Sequence, residues 1–285
     1  MNPLDFADLR GKVAVMTGGT GVIGVALARA LGAAGVKLAI AGRDRAKAEA
    51  LADKLNAELK GVPGAGTIVG LGFDVLDRAA LEAARSEIHE RLGRIDLLIN
   101  GAGGNKPTAT APAETLQPGG DLASSFFAMD PNAFDDVMRL NFTGTLLPTQ
   151  VFGQDMVGRG GVILNLSSMA SIRPLTKVAG YAAAKAAVNN LTLWLAVHLA
   201  PQGIRVNALA PGFFLTEQNR FLMFDEKTGE KSPRARKIVA GTPMARFGEV
   251  EELQGAVLFL LSNLSRFVTG IVLPVDGGFS ASSGV

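Results

Sequence analysis

The chain contains a single tyrosine, which lies four residues before a lysine. Tyr181 and Lys185 fall in a segment with helical periodicity, where this spacing places both side chains on one face, a turn apart. A phenol with a pKa of about 10 is a weak base near neutral pH, but a neighbouring ammonium group stabilises phenolate and lowers that pKa. Tyr181 could then give a proton to a carbonyl oxygen or take one from an alcohol.

Ser168 stands thirteen residues before the tyrosine, just after the apolar run Val162–Leu166. This run predicts a strand, so the hydroxyl would lie at the carboxyl edge of the sheet, where α/β folds bind ligands. A hydroxyl in that place can donate a hydrogen bond to a developing oxyanion. Taken alone, the tyrosine and lysine are more readily explained by ordinary helix packing, and it is the position of Ser168 that makes the three a predicted proton-transfer site.

A glycine-rich turn follows the first predicted strand, in the segment Thr17–Gly24. Glycines between a strand and a helix let the backbone approach a pyrophosphate, whose charge then sits on the helix N-terminus. A tight turn with structural duties alone is the alternative, and the place of this turn at the start of an alternating series of strands and helices favours a dinucleotide. The turn residues predicted to contact it are Gly18, Thr20, Gly21, Val22, Ile23 and Gly24.

Arg43 follows the second predicted strand, and no acid precedes it at the strand tip. A carboxylate there binds the ribose hydroxyls of NAD, whereas a guanidinium forms paired hydrogen bonds to the 2′-phosphate of NADP. We therefore expect NADP(H) to be favoured over NAD(H). An exposed loop arginine, with Asp44 serving NAD instead, is the open alternative. After the third strand, Asp74 and Val75 are candidates for the adenine edge, although Asp74 could instead cap a helix.

Short runs rich in valine, isoleucine and leucine alternate with helical segments along the chain. Such continuous apolar strands indicate a parallel sheet covered on both faces. We therefore predict a single Rossmann-like α/β domain over residues 1–285, a doubly wound parallel sheet of about seven strands in a three-layer α/β/α sandwich. The predicted strands are Val13–Met16, Val36–Ala41, Thr67–Phe73, Ile95–Ile99, Val162–Leu166, Ile204–Leu209 and Ile271–Val275.

Two regions interrupt this alternation. Gly101–Pro131 is rich in small and turn-forming residues, and Phe213–Val250 mixes aromatic, charged and proline residues. Because long loops in a compact domain are usually lids or binding loops, both are predicted to face the substrate.

Composition excludes several other functions. The 28 basic and 26 acidic residues are interspersed and leave a net charge of +2, which argues against a nucleic-acid partner. The absence of cysteine rules out disulfides, thiolate catalysis and cysteine-bound zinc, and two separate histidines do not make a metal cluster, so no metal is expected. No apolar leader and no run of eighteen apolar residues is present, so we expect a cytoplasmic protein without a membrane partner.

Landmarks in a characteristic order extend this pattern over nearly the whole chain. They are the Thr17–Gly24 turn, the Asn100–Gly103 segment, Asn141, Ser168, Tyr181 with Lys185, Pro211-Gly212 followed by Thr216, and Asp276–Gly278. In these landmarks the chain resembles the short-chain dehydrogenase/reductase family. One residue departs from the common pattern: Val22 stands where that family usually has glycine in the turn, and the middle glycine is Gly21.

The resemblance implies an oxidoreductase that acts on CH–OH groups with NAD or NADP. It implies that Tyr181 is the acid/base, that Ser168 polarises the carbonyl, and that Lys185 binds the nicotinamide ribose and lowers the tyrosine pKa. Asn141 would hold a water between Lys185 and solvent, and a homotetramer is the implied assembly. Asn100 would brace the central strands and the cofactor, Thr216 would contact the carboxamide or phosphates, and Ala102, Gly103, Pro211, Gly212 and Phe214 would complete the cofactor site.

The stretch between Asn100 and Asn141 is longer than expected for this family, which indicates an insertion at the active-site edge. It holds Asn105 and Lys106, and Arg173 and Arg220 fall on other segments that could line the pocket mouth. Cationic side chains at the pocket mouth suit the carboxylate of a substrate, and an amide side chain suits its hydroxyl groups. Ordinary surface charge is an equal alternative for each of these residues.

Details of these loops resemble the bacterial D-mannonate oxidoreductase (fructuronate reductase) branch of the family, and they include Gly103-Gly104-Asn105 and Asn219-Arg220. The implied reaction is the reversible reduction of D-fructuronate to D-mannonate. Gluconate, another polyol and a 3-oxoacyl thioester are the alternative substrates, and a nucleotide-sensing protein without catalysis is the more distant alternative.

Overall fold

The computed structural model describes residues 5–216, 220, 223–225 and 228–283. Its centre is a seven-stranded parallel sheet in the order β3-β2-β1-β4-β5-β6-β7, which confirms the predicted fold class. The strands are β1 Val13–Thr17, β2 Lys37–Gly42, β3 Ile68–Gly72, β4 Leu97–Asn100, β5 Gly161–Leu166, β6 Ile204–Pro211 and β7 Val272–Val275.

Helices cover both faces of this sheet. They are α1 Val22–Ala33, α2 Arg45–Leu59, α3 Arg78–Arg91, α4 Pro131–Met138, α5 Gly144–Phe152, α6 Ala179–Leu199, α7 Pro233–Gly241 and α8 Gln254–Leu261. Alternate residues of β1 serve the two layers: Met16 packs in the core with α1, α2 and α8, and Val15 packs in the core with α3, α5 and α6. Burial on both faces explains why the strands read as continuous apolar runs.

The order of the strands reverses between β1 and β4, and this reversal creates a crevice at the carboxyl edge. Thr17 pairs in register with Asn100, and Asn100 pairs with Asn165 on β5. Three polar residues therefore lie at one level, at or within one residue of the carboxyl ends of three adjacent strands.

The two predicted substrate loops contact each other at the same edge. The first contains three short 3₁₀ turns, and the second contains α7, which Ser232 caps by accepting a hydrogen bond from Ala235 N. Lys237 on α7 forms an ion pair with Glu114 of the first loop, 2.8 Å between Nζ and Oε2. Asn219 lies outside the described residues, as does part of the second loop. Among the helices that the structure describes, none is long and apolar enough to cross a membrane.

Candidate active site

Helix α6 carries Tyr181 and Lys185 at its N-terminal end. The Lys185 ammonium lies 5.7 Å from the centre of the Tyr181 ring, so the predicted spacing does bring the two groups together. The lysine side chain is buried, and its Nζ donates a hydrogen bond to the carbonyl of Leu166 at 2.7 Å. The end of β5 thereby fixes the ammonium beneath the tyrosine.

Burial strongly affects the charge on Lys185. The desolvated environment lowers the pKa of the Lys185 ammonium to about 8. Lys185 makes no ion pair with any carboxylate in the described part of the chain, so its charge is held by neutral dipoles. An ammonium with a pKa near 8 exchanges protons readily around neutral pH.

Tyr181 and Ser168 both line the cleft, and the Ser168 hydroxyl lies close enough to influence the phenol. Burial raises the pKa of the Tyr181 phenol above its ordinary value, and the Ser168 hydroxyl acts in the lowering direction with the smaller effect. The net direction is opposite to the lowered tyrosine pKa that the sequence predicts. The physical reason is that desolvation of the phenol, a tertiary effect, outweighs the groups around it.

The turn after β5 sets the position of Ser168. Its Oγ accepts a hydrogen bond from Ala170 N at 3.1 Å and caps the short 3₁₀ turn Met169–Ser171. A hydroxyl that accepts from the backbone still has its own proton to donate. Ser168 can therefore donate to an oxygen in the cleft while its backbone stays fixed.

Asn141 lies in a π-helical turn, Arg139–Thr143, between α4 and α5. Its fully buried amide donates to Gly104 O and Val137 O, both at 2.8 Å, and accepts from Gly104 N at 3.0 Å. π-helical turns are rare and often occur at functional sites. Here the turn aims the amide at the loop after β4, and the predicted water-holding role of Asn141 stays a prediction.

Gly103 shows how closely this loop approaches the site. A Cβ at Gly103 would lie 2.5 Å from Asn141 Oδ1 and 3.1 Å from Lys185 Nζ. No side chain fits between these two groups, so glycine is required by the close approach of the backbone.

The turn between β1 and α1 leaves room for an anion. Gly18 adopts a φ of +67°, and a Cβ there would lie 2.4 Å from Gly101 O. A Cβ on Gly24 would lie 2.6 Å from Gly18 O, so the start of the helix packs directly against the turn. Gly21 precedes α1 as a cap without a side chain, so the N-terminus of the helix faces the crevice uncovered. These features fit a pyrophosphate.

The aspartates that follow the second and third strands accept hydrogen bonds from nearby backbone, whereas the arginine after the second strand does not share such a contact. Asp44 caps α2 and accepts from Lys47 N at 3.0 Å, whereas Arg43 is exposed and makes no hydrogen bond or ion pair to any residue that the structure describes. Asp74 accepts from Leu76 N at 2.9 Å, and the cap of α3 is Asp77. The alternative that Asp74 caps a helix is therefore wrong.

One cleft of about 550 Å³ runs along the carboxyl edge from the glycine turn to Tyr181. The predicted residues that line it are Gly18, Thr20, Gly21, Val22, Ile23, Gly24, Arg43, Asp74, Val75, Ala102, Gly103, Ser168, Tyr181, Lys185, Pro211, Gly212 and Thr216. The predicted residues Asn141, Asn100 and Phe214 are not among those that line it. The glycine backbone at one end and the proton-transfer groups at the other fit a nicotinamide dinucleotide.

Asn100 belongs to a buried polar chain beneath the cleft. Its Nδ2 donates to Thr149 Oγ1 at 2.9 Å and to Asn165 Oδ1 at 2.8 Å, and Asn165 Nδ2 donates to Thr192 Oγ1 at 2.8 Å. The chain joins α5, β4, β5 and α6, so Asn100 does brace the central strands. Asn165 was not predicted as a site residue, although an asparagine within an apolar strand is a recognisable signal.

The four predicted substrate residues do not line the cleft, and each has a partner elsewhere. Lys106 pairs with Asp136 at 2.7 Å, and Asn105 Nδ2 donates to Thr110 Oγ1 at 2.7 Å. The Arg173 Nε donates to Ser280 O at 3.1 Å, and the Arg220 guanidinium lies 5.3 Å from the centre of the Phe224 ring.

The C-terminal segment that begins at the landmark Asp276 packs beside the tyrosine, a contact that the sequence did not predict. Phe279 contacts Phe213 edge-on, 5.2 Å between ring centres, and both belong to an apolar cluster that includes Tyr181. Asp276 holds this segment by accepting from Gly278 N and Ser280 N at 2.9 and 2.8 Å. Arg173, which donates to the carbonyl oxygen of Ser280, also anchors this segment.

Comparison with known proteins gives extensive matches. Residues 19–280 match a family model described as enoyl-(acyl carrier protein) reductase. An uncharacterised oxidoreductase of Bacillus subtilis is 49% identical over 98% of both chains. A candidate D-mannonate oxidoreductase of Haemophilus influenzae with bound NAD superposes with a TM-score of 0.91 at 43% identity, over 98% of this chain and 99% of that one. A gluconate 5-dehydrogenase of Burkholderia cenocepacia, in complex with NADP and tartrate, has a TM-score of 0.81 at 34% identity, over 97% and 99% of the two chains.

Fold, cleft and relatives define an oxidoreductase that acts on alcohol or keto groups with NAD or NADP. Within that class, the chain belongs to the short-chain dehydrogenase/reductase family.

Proposed function

We propose that this oxidoreductase interconverts a keto sugar acid and its hydroxy acid, with D-fructuronate and D-mannonate as the substrate pair. The observation that carries the reaction is the placement of Tyr181 and Ser168 together at one end of the cleft, with the buried Lys185 ammonium 5.7 Å from the centre of the tyrosine ring. Support for the substrate comes from the resemblance of the loops to the D-mannonate oxidoreductase branch and from the Haemophilus relative.

The protein side chains divide the proton chemistry among themselves. The bound nicotinamide would supply the hydride for reduction of the carbonyl carbon or accept it in oxidation. Ser168 donates a hydrogen bond to the substrate oxygen and stabilises the negative charge that develops there. Tyr181 transfers its hydroxyl proton to that oxygen, and the Lys185 charge stabilises the phenolate that remains. In oxidation the same proton returns to Tyr181.

We further propose NADP(H) as the preferred cofactor. Arg43 lines the cleft with its guanidinium unengaged by the described residues, and the neighbouring Asp44 is occupied as a helix cap. A free guanidinium beside the adenine ribose suits a 2′-phosphate, and a carboxylate already bound to a helix N-terminus is a poor partner for ribose hydroxyls. Of the two structures described above, the Haemophilus relative holds NAD and the Burkholderia relative holds NADP.

Substrate profiling tests the proposal. Initial rates of the purified protein would be measured with D-mannonate, D-gluconate and simple alcohols, each with NADP⁺ and NAD⁺. We expect the highest kcat/KM for D-mannonate. A rate with D-mannonate no higher than that with D-gluconate would contradict the proposed substrate. Gluconate is the second candidate, favoured by the likeness to the Burkholderia enzyme.

We propose a homotetramer as the assembly. Trp194 and Val197 on α6 are 57% and 79% exposed, and large apolar side chains on an outer helix are typical of protein interfaces. Light scattering would give four times the monomer mass of 29.6 kDa if the proposal holds.

A further inference from the structure

Three polar side chains connect the turn of Ser168 to α6. Ser167 and Ser171 flank Ser168 in the turn after β5, and Asn189 lies on α6, one helical turn beyond Lys185. Ser167 is buried, and the other two side chains are half-buried, so water competes weakly for their hydrogen bonds. None of them belongs to the proton chemistry described above.

The hydrogen bonds among them run in one direction. Ser167 Oγ donates to Asn189 Oδ1 at 2.5 Å, and Asn189 Nδ2 donates to Ser171 Oγ at 2.7 Å. Ser171 Oγ in turn donates to the carbonyl oxygen of Ser168 at 2.5 Å. Each hydroxyl has one proton, so this order uses each hydroxyl proton once and leaves the longer Ser167–Ser171 contact, 3.2 Å between the two Oγ atoms, as the alternative for Ser167. The order needs a side chain at position 189 that both accepts and donates.

The chain of bonds couples the backbone of Ser168 to the helix that carries the other two reactive groups. Ser167 also lies 3.5 Å from the carbonyl oxygen of Lys185, and the Lys185 ammonium holds Leu166 O. A rotation or shift of Ser168 would therefore break bonds on both sides of the turn. Tyr181, eight residues before Asn189, lies on the same rigid helix.

We propose that Asn189 is a positioning residue, which fixes the Ser168 hydroxyl relative to the Tyr181 phenol through Ser171. This inference rests on the proposed role of Ser168 in the reaction. Asn189 itself contacts neither the substrate nor the cofactor, because it lies behind the residues that line the cleft. Its effect is on alignment, and misplacement of a reactive group by about 1 Å can reduce a rate by about 100-fold.

Substitutions along the chain of bonds test the proposal. Asn189→Leu removes both functions of the amide, and Asn189→Asp keeps the acceptor for Ser167 but loses the donor for Ser171. Ser171→Ala breaks the bond to Ser168, whereas Ser171→Thr keeps the hydroxyl. The matched control is Asn190→Leu, because Asn190 is the next residue on α6, is exposed, and makes no hydrogen bond in the described part of the chain.

We expect kcat to fall by about 10- to 100-fold in Asn189→Leu, Asn189→Asp and Ser171→Ala, with the cofactor Kd, measured by fluorescence titration, within about twofold of wild type. Ser171→Thr and Asn190→Leu should keep near-wild-type kcat. Melting temperatures would be recorded for every variant, and the split between kcat and cofactor Kd separates alignment from a general loss of folding.

Ser168→Ala in the same assay distinguishes failure of the positioning role of Asn189 from failure of the proposed role of Ser168. If Ser168→Ala loses turnover while Asn189→Leu and Ser171→Ala stay within twofold of wild type, the positioning role is overturned and the proposed function stands. The positioning role is also overturned if Asn189→Leu loses both cofactor binding and kcat, and if the kcat of Ser171→Thr is no higher than that of Ser171→Ala. Wild-type turnover in Ser168→Ala would refute the proposed mechanism itself.

Discussion

Two buried charges lie at opposite edges of the sheet, and they differ in their partners. Lys185, at the carboxyl edge, has the Leu166 carbonyl as its hydrogen-bond acceptor and no carboxylate partner among the described residues. Asp155, near the amino edge, is also fully buried, but it accepts hydrogen bonds from Arg85 at 2.7 Å and Ile95 N at 3.1 Å and contacts His89.

The difference has a physical meaning. Partners stabilise the ionised carboxylate so well that the pKa of Asp155 lies below its ordinary value, despite burial that acts in the opposite direction. The pKa of Lys185 is lowered by burial alone, so its charged form is destabilised. Removal of one partner from a buried ion pair leaves the other charge uncompensated and destabilises the fold, whereas a buried charge with a perturbed pKa in a cleft is a candidate functional group.

Replacement of Lys185 should have the largest effect on activity. We expect Lys185→Met to lower kcat by about 1,000-fold, because the phenolate of Tyr181 loses its stabilising charge. The melting temperature should stay at or above that of wild type, since a desolvated charge is removed. Steady-state kinetics and thermal unfolding check both, with Lys47→Met, an exposed lysine on α2, as the control.

Replacement of Asp155 should show the opposite pattern. Asp155→Asn leaves Arg85 without its buried partner and should lower the free energy of unfolding by about 3 kcal/mol, with kcat per folded molecule unchanged. Urea unfolding followed by circular dichroism measures this loss. If Asp155→Asn lowered kcat while the free energy of unfolding stayed constant, Asp155 would have a functional role and not the structural role proposed here.

The pH dependence follows from the direction of the Asp155 shift. A carboxylate with a lowered folded-state pKa contributes stability that is fully present above its unfolded pKa of about 3.9 and is lost as pH falls through the folded value. The stability difference between wild type and Asp155→Asn should therefore shrink as pH falls below about 4. Urea midpoints between about pH 5 and pH 2 would measure it, and a difference that grew as pH fell below about 4 would contradict the sign.

Arg43 provides a smaller, cofactor-specific effect. Arg43→Gln should raise KM for NADPH by about tenfold, which corresponds to one charge-assisted interaction with phosphate, and leave KM for NADH unchanged. Initial rates with both cofactors measure this. Equal changes for NADPH and NADH would exclude a contact with the 2′-phosphate.

The smallest effect is expected at Lys106. Its ion pair with Asp136 is exposed, so Lys106→Gln should change KM for a sugar acid by less than about twofold. A tenfold rise in KM with kcat unchanged would show that the lysine leaves Asp136 to bind the substrate.

Local patterns made the fold and most of the cleft lining predictable. The strands are short apolar runs, and Gly18 and Gly103 stand where the backbone approaches its neighbours so closely that only glycine fits. The substrate half was not predictable in the same way. Lys106 and Arg173 are engaged by Asp136 and Ser280, which lie 30 and 107 residues away along the chain. The direction of the Tyr181 pKa depends on burial, which no spacing in the sequence reveals.

Isotope transfer tests the central claim most directly. D-Fructuronate would be reduced with NADPH deuterated at C4 of the nicotinamide, in each of its two stereoisomers, and the product analysed by mass spectrometry. We predict one deuterium at the carbon that carried the ketone, from one of the two stereoisomers and not from the other. Product formation without deuterium from either would contradict direct hydride transfer to the sugar acid.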